Sequence, residues 1–159
     1  MFRIGEQVVY PVHGAGVVEA IEEKMILGEL RRYYSLRLLT GELQVLVPVD
    51  TAEKAGLRQV CTKEELEKVR QVLTSSQSDW EENWNRRYRL HMDKIKSGDI
   101  CQLAEVVRNL SIRDRDKGLS AGEKKMLDNA RRILVSEIQV AAGISMEEAE
   151  QHLSRCLAL

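Results

Sequence analysis

A chain of 159 residues with 43% hydrophobic and 31% charged content has room for one large or two small globular domains. Its formal charge of -1 hides a skew. Residues 86–132 carry 13 Lys/Arg against 7 Asp/Glu, a surplus of +6, whereas segments 1–60, 61–85 and 133–159 stand at -1, -3 and -3. Such a basic block suits an anionic partner, and it equally suits a solvated helical face. No apolar run approaches the ~20 residues that cross a bilayer, and the opening MFRIGEQVVYP has no long apolar core of a leader, so secretion and membrane insertion are not expected. Cys61, Cys101 and Cys156 have no ligand-like spacing and read as reduced, partly buried residues of a cytoplasmic protein.

The first 60 residues read as β structure. Gln7–Tyr10 is a strand stopped by Pro11, Gly14 and Gly16 flank a turn, and Val17–Leu27 is a long strand that Gly28 reverses. Leu30–Leu39 follows, then a tight Thr40-Gly41 turn, then Glu42–Val47 running to Pro48. There Leu43, Val45 and Val47 alternate as a half-buried antiparallel strand requires. A short strand at Leu57–Val60 makes about five, enough to curl into a small barrel.

Beyond residue 60 the signals turn helical. Thr62…Glu65, Ser78…Glu81, Ser120…Glu123 and Ser145…Glu148 have the form of capping boxes, and Asp99 supplies a fifth start. Gly98, Gly118 and Gly143 stand where helices stop. Between them apolar residues recur every three or four positions, as in Ile100/Leu103/Val107/Leu110 and Leu127/Ala130/Leu134/Ile138. The expected fold class is therefore α+β, with a small antiparallel β barrel over 1–60 and an all-α bundle of about five helices over 61–159.

No catalytic constellation emerges. His13, His91 and His152 fall in different elements without a nucleophile or paired ligand, and Gly14-Ala15-Gly16 is too short for a dinucleotide fingerprint. Neither an enzyme nor a cofactor, metal or small-molecule substrate is expected.

The informative stretch runs from Trp84 through Arg86, Arg87, Tyr88 and Arg89 to Asp99. Trp80, Trp84, Tyr88, His91 and Ile95 share helical spacing and form an expected buried stripe. Trp84 admits two readings. It is either part of that core, or a ring at the edge of the bundle that wedges against a base step while arginines hold phosphates.

Taken together, the two halves resemble the CarD/CdnL family of bacterial transcription regulators. The resemblance rests on Gly5-x-x-Val8-Val9-Tyr10-Pro11-x-His13-Gly14 and Val47-Pro48, then Trp84-x-Arg86-Arg87-Tyr88, Lys96-Ser97-Gly98-Asp99, Ala104-Glu105-Val106-Val107-Arg108 and Gly118-Leu119-Ser120-x-Gly122-Glu123-Lys124. The first half alone is also similar to a module of transcription-repair coupling factors, which are large ATPases; this chain has no GxxxxGK[ST] loop. The resemblance implies a Tudor-like domain that docks on the RNA polymerase β subunit through Lys24 and Leu46, where relatives have arginine at the second position. It further implies a helical domain that touches promoter DNA at the upstream edge of the bubble. Trp84 is then the minor-groove wedge, Arg86, Arg89 and Lys124 are backbone contacts, and Arg87, Lys96 and Lys125 are basic neighbours. The implied outcome is a stabilised open complex in the cytoplasm, on the nucleoid through the polymerase. A polymerase-binding adaptor without DNA contact is the alternative, and it expects the Trp84 ring to be fully buried.

Overall fold

The computed structural model describes residues 1–41, 43–76 and 80–158. Its first third is one antiparallel sheet of β1 (Gln7–Tyr10), β2 (Gly14–Ile26), β3 (Glu29–Leu38), β4 (Gln44–Pro48) and β5 (Arg58–Gln59), in the order β4-β3-β2-β1-β5. A single 3-10 turn, Val49–Thr51, follows β4. The long β2–β3 hairpin closes on Leu27-Gly28, where Ile26 pairs with Glu29. Both loop residues have positive φ, 52° and 80°, as the mirror-image turn that matches strand twist demands.

Strand identity follows the alternation, but two boundaries move. Tyr10 pairs with Gly14 across the turn at 11–13, so Gly14 borders that turn as the first residue of β2, whereas Gly16, paired with Val8, lies inside the strand. They are small because other chain segments press on them: a Cβ on Gly16 would lie 2.3 Å from the Arg37 carbonyl oxygen. Leu43 precedes β4 and is exposed, while Val45 opposite Leu36 and Val47 opposite Tyr34 point into the core. A bulge between Val18 and Ala20 resets which face each side chain takes along β2. Val8, Val18, Tyr34, Leu36, Leu38, Val47, Ala52 and Leu57 make up this first core. The buried Tyr34 hydroxyl accepts from the Phe2 amide at 3.0 Å, so the phenol is satisfied.

Five helices follow: α1 (Lys63–Thr74), α2 (Trp84–Lys96), α3 (Ile100–Asp116), α4 (Ala121–Ala142) and α5 (Met146–Cys156). Thr62/Glu65 and Ser145/Glu148 form full reciprocal capping boxes, and Asp99 accepts from the Cys101 and Gln102 amides. The expected Ser78…Glu81 box lies outside the described residues, and the cap of α2 is Asn83. Trp80 thus precedes the helix and is not part of its stripe. Val106, Val107, Leu110, Ala130, Leu134 and Leu153, all essentially inaccessible, centre a second core. Each large aliphatic side chain there contributes on the order of 2 kcal/mol by leaving water. Among the described residues no helix is long and apolar enough to cross a membrane.

Sheet and bundle meet along α4. The Ala15 amide donates to Ser136 Oγ at 3.0 Å, and the Arg58 guanidinium on β5 grips the Glu137 carboxylate with two bonds of 2.7 Å. The Gly16 contact makes the first test of the fold: Gly16→Ala forces β2 away from β3 and lowers stability by on the order of 3 kcal/mol, read as an earlier urea midpoint.

Candidate nucleic-acid interface

Trp84 is the first residue of α2, and Asn83 starts the helix by accepting from the Arg86 amide at 3.0 Å. The indole is 42% exposed. Stacking on Tyr88, with centroids 5.1 Å apart and planes 20° apart, covers one of its faces. Its Nε1–H donates to Ser120 Oγ at 3.1 Å, and its six-membered edge lies over Gly122, where an added Cβ would sit 3.5 Å away. The ring is therefore held in one pose across the first turn of α4 while nearly half of it meets solvent. A side chain fixed in advance loses little rotamer entropy on binding. The sequence marks Ser120 as a cap, but nothing in it links that hydroxyl to a tryptophan 36 residues earlier.

Arg87 departs from the expected role of a DNA neighbour. It is buried, and its Nε and Nη2 bind the two oxygens of buried Glu123 at 2.8 and 3.0 Å. Its Nη1 also donates to the Glu81 carbonyl at 2.9 Å. The guanidinium has no face left for a phosphate, so Arg87 is a positioning residue that ties the start of α2 to the start of α4. The bond to Arg87 holds the Glu123 carboxyl below its usual range despite burial, and raises the Arg87 guanidinium in turn. The same pairing halves the expected Ser120…Glu123 box. Ser120 Oγ accepts from the Glu123 amide, but the carboxylate turns to Arg87 instead of back to the cap amide. Trp80 lies between two cations, with Arg87 4.5 Å and Arg113 4.9 Å from its ring centroid. His91 packs beside it at 6.0 Å.

The other basic positions face outward. Arg86 and Arg89, three residues apart, share the outer side of α2, and Lys124 and Lys125 are exposed on the first turns of α4. Arg86 has only a 3.9 Å rim contact with Glu81. Among the described residues no ion pair engages Arg89, Lys96, Lys124 or Lys125. Elsewhere the +6 segment spends its charge internally, as in Lys94–Glu105 at 2.8 Å and Arg115–Asp116 at 3.0 Å. Two helix N-termini, those of α2 and α4, converge at Trp84 and add partial positive charge to the exposed cations.

On the sheet, cross-strand register brings Lys24 and Leu46 to one face. Lys24 opposes Arg31, Glu22 opposes Tyr33, and Ser35 stands between Ala20 and Leu46, so all of these point away from the first core. Along β3 the two positions are separated by about 13 Å, four residues of strand. Lys24 is half exposed with Glu22 at 3.5 Å, and Leu46 is 39% exposed.

The described residues hold no group of three or more potential metal ligands. The three cysteines are free, and burial pushes the Cys61 thiol up to about 12, which keeps it unreactive.

Breaking the Arg87–Glu123 pair from one side, by Glu123→Gln, strands a buried cation and costs about 3 kcal/mol in chemical denaturation. The double variant Arg87→Met/Glu123→Leu recovers most of that loss. His91 yields a pH test. Burial, then the nearby Lys94 charge, lowers its pKa from 6.5 to about 4, and its Nδ1 has no partner among the described residues. Between those two values the unfolded chain takes up a proton that the folded chain refuses. Acid therefore removes at most about 3 kcal/mol across that window and nothing further below it. Urea midpoints from pH 7 to 4 should fall less steeply in His91→Leu than in the parent.

Residues 2–61 match the family described as CarD-like/TRCF RID domain, and residues 68–154 match CarD, C-terminal domain. A Bacillus subtilis (strain 168) protein described as "Putative transcription factor YdeB" is 41% identical over 148 residues, covering 93% of this chain and 97% of that one. With both family domains present in order and a relative of this similarity along nearly its whole length, the chain belongs to the CarD family of transcription factors.

Proposed function

We propose that this chain regulates transcription by binding the RNA polymerase β subunit through its sheet and contacting promoter DNA at the upstream edge of the bubble through Trp84. The observation that carries this reading is the half-exposed indole, held by Ser120 and Tyr88 where the N-termini of α2 and α4 meet, with exposed Arg89 on α2 and Lys124 and Lys125 in the first turns of α4. Positive charge at the rim holds phosphates and gives affinity without sequence preference. The ring then acts as an apolar wedge at a distorted base step. Because it fits opened or bent DNA better than closed duplex, its binding energy shifts the equilibrium toward the open complex. A difference of ~1.4 kcal/mol changes the ratio about tenfold, and no fuel or cofactor is needed. Arg86, exposed on the same helix, is a fourth phosphate contact.

For the polymerase side, Lys24 and Leu46 share the sheet face opposite the core and form the proposed docking patch. Leu46 contributes apolar contact where relatives place a charge. A role on the polymerase locates the protein in the cytoplasm, at the nucleoid. The adaptor reading without DNA contact expects a fully buried Trp84, and the exposed ring disfavours it. An enzymatic reading finds little support in the cleft of about 410 Å³ beside β5, because its carboxylates and its arginine serve the fold. Glu65 and Asp99 cap helices there, and Arg58 pairs with Glu137.

Trp84→Ala leaves folding and β-subunit binding intact and shortens the lifetime of open complexes several-fold, measured by competitor challenge on promoter DNA. The gain produced by the parent protein shrinks as salt rises from 50 to about 200 mM, since phosphate contacts release counterions. An unchanged lifetime in Trp84→Ala sinks the wedge.

A further inference from the structure

We propose that Arg58 and Glu137 are positioning residues for this action on promoter DNA, their ion pair at the sheet–bundle junction fixing the distance and angle between the polymerase-docking sheet and the Trp84 helix. This inference rests on the function proposed above. Glu137 is completely buried in the C-terminal half of α4, and each of its oxygens accepts from Arg58 at 2.7 Å. Oxygen Oε2 also accepts from the Cys61 amide at 2.9 Å, at the point where the chain leaves the sheet. Arg58 Nε donates to the Gly98 carbonyl at 2.7 Å. Gly98 lies just past the C-terminal end of α2, the helix whose first residue is Trp84. One guanidinium on β5 thus holds α4 and the far end of the wedge-bearing helix at once, and α2 spans about 20 Å between that grip and the indole.

The energetics favour a positioning role over a stabilising one. Glu137 is taken wholly out of water while Arg58 keeps 30% of its side chain exposed, and the desolvation of that carboxylate offsets much of what the pair gains. What the pair supplies is directional: several hydrogen bonds with fixed geometry, satisfied in a single relative placement of the two cores. Neighbouring contacts point to the same placement. The Ala15 amide bonds Ser136 Oγ, a Cβ on Gly14 would lie 2.8 Å from that same oxygen, and the Pro11 ring sits where a Cβ on Gly98 would come within 3.2 Å. At the other end of α2, Arg87 and Glu123 repeat the arrangement.

The test uses the full chain in two measurements. Backbone N–H residual dipolar couplings in a dilute aligned medium report whether sheet and bundle share one alignment tensor. Open-complex lifetime on promoter DNA, alongside β-subunit affinity, reports function. Parent protein is expected to fit one tensor. Glu137→Gln is expected to need two, to keep β-subunit affinity within about two-fold, and to shorten open-complex lifetime about five-fold relative to parent. Should Glu137→Gln not fold, Arg58→Lys, which keeps the charge but loses the fork, is read by the same criteria. A single tensor in the variant overturns the inference, and so does a divergent pair of tensors with parental lifetime. If Trp84→Ala shortens the lifetime and Glu137→Gln does not, only the positioning inference falls. If Trp84→Ala itself has no effect, the proposed function fails and takes the inference with it.

Discussion

Two carboxylates on α4, Glu123 and Glu137, are buried almost completely, and each is there only because an arginine from another part of the chain came with it. A lone carboxylate at either position would be driven to its neutral form or out of the core. The two sites are 14 residues apart, about 21 Å along the helix, and they lie within roughly 40° of one another around it. Glu123 captures Arg87 at the beginning of α2, while Glu137 captures Arg58, whose Nε holds Gly98 just past the end of α2. Helix α2 is consequently fastened at both ends to one straight rod, and the sheet is fastened to the same rod through β5.

This arrangement explains how an indole can be half exposed and still well placed. Surface aromatic rings ordinarily sample several rotamers, which costs binding energy when one of them is selected. Here the backbone of Trp84 is set by the Asn83 cap and the Arg87–Glu123 pair, and the ring by Tyr88 and Ser120. The polarity of the surroundings is divided with equal economy. Arg58 and Arg87 meet carboxylates, Arg113 meets the Trp80 ring and buried Arg108 donates to the Val72 carbonyl and Asn109 Oδ1, whereas Arg89, Lys124 and Lys125 stay on the outside, where screening is strong and where a phosphate backbone would replace counterions.

Much of the fold was legible in the sequence because local rules govern it. Capping hydroxyls, stop glycines and three-to-four spacing located α1, α3, α4 and α5, and period-two alternation located the strands. The departures share a cause, namely long-range contacts that no local pattern encodes. Gly16 reads as a turn flank but is a strand residue squeezed by the Arg37 carbonyl. Glu123 looked like half of a capping box, and a partner 36 residues away diverted it. Arg87 reads like Arg86 and Arg89 in the run Arg86-Arg87-Tyr88-Arg89, although its place four residues before His91 puts it on the buried side of the helix. Of the proposed interface, Trp84 and its exposed cations could be named from sequence. Its support Tyr88, one turn on along the same helix, follows from helical spacing, but Ser120, Gly122 and the Arg58–Glu137 pair do not, since they depend on which elements cross.

The central claim is that the Trp84 ring meets DNA at the upstream edge of an open promoter. Replacing Trp84 with a photo-reactive aromatic residue and irradiating complexes of the full-length protein, RNA polymerase and promoter DNA tests it most directly. The account predicts crosslinks confined to the few nucleotides at the upstream junction of single and double strand, present in open complexes and absent from closed ones. Crosslinks to polymerase alone, or to duplex DNA irrespective of opening, would contradict it.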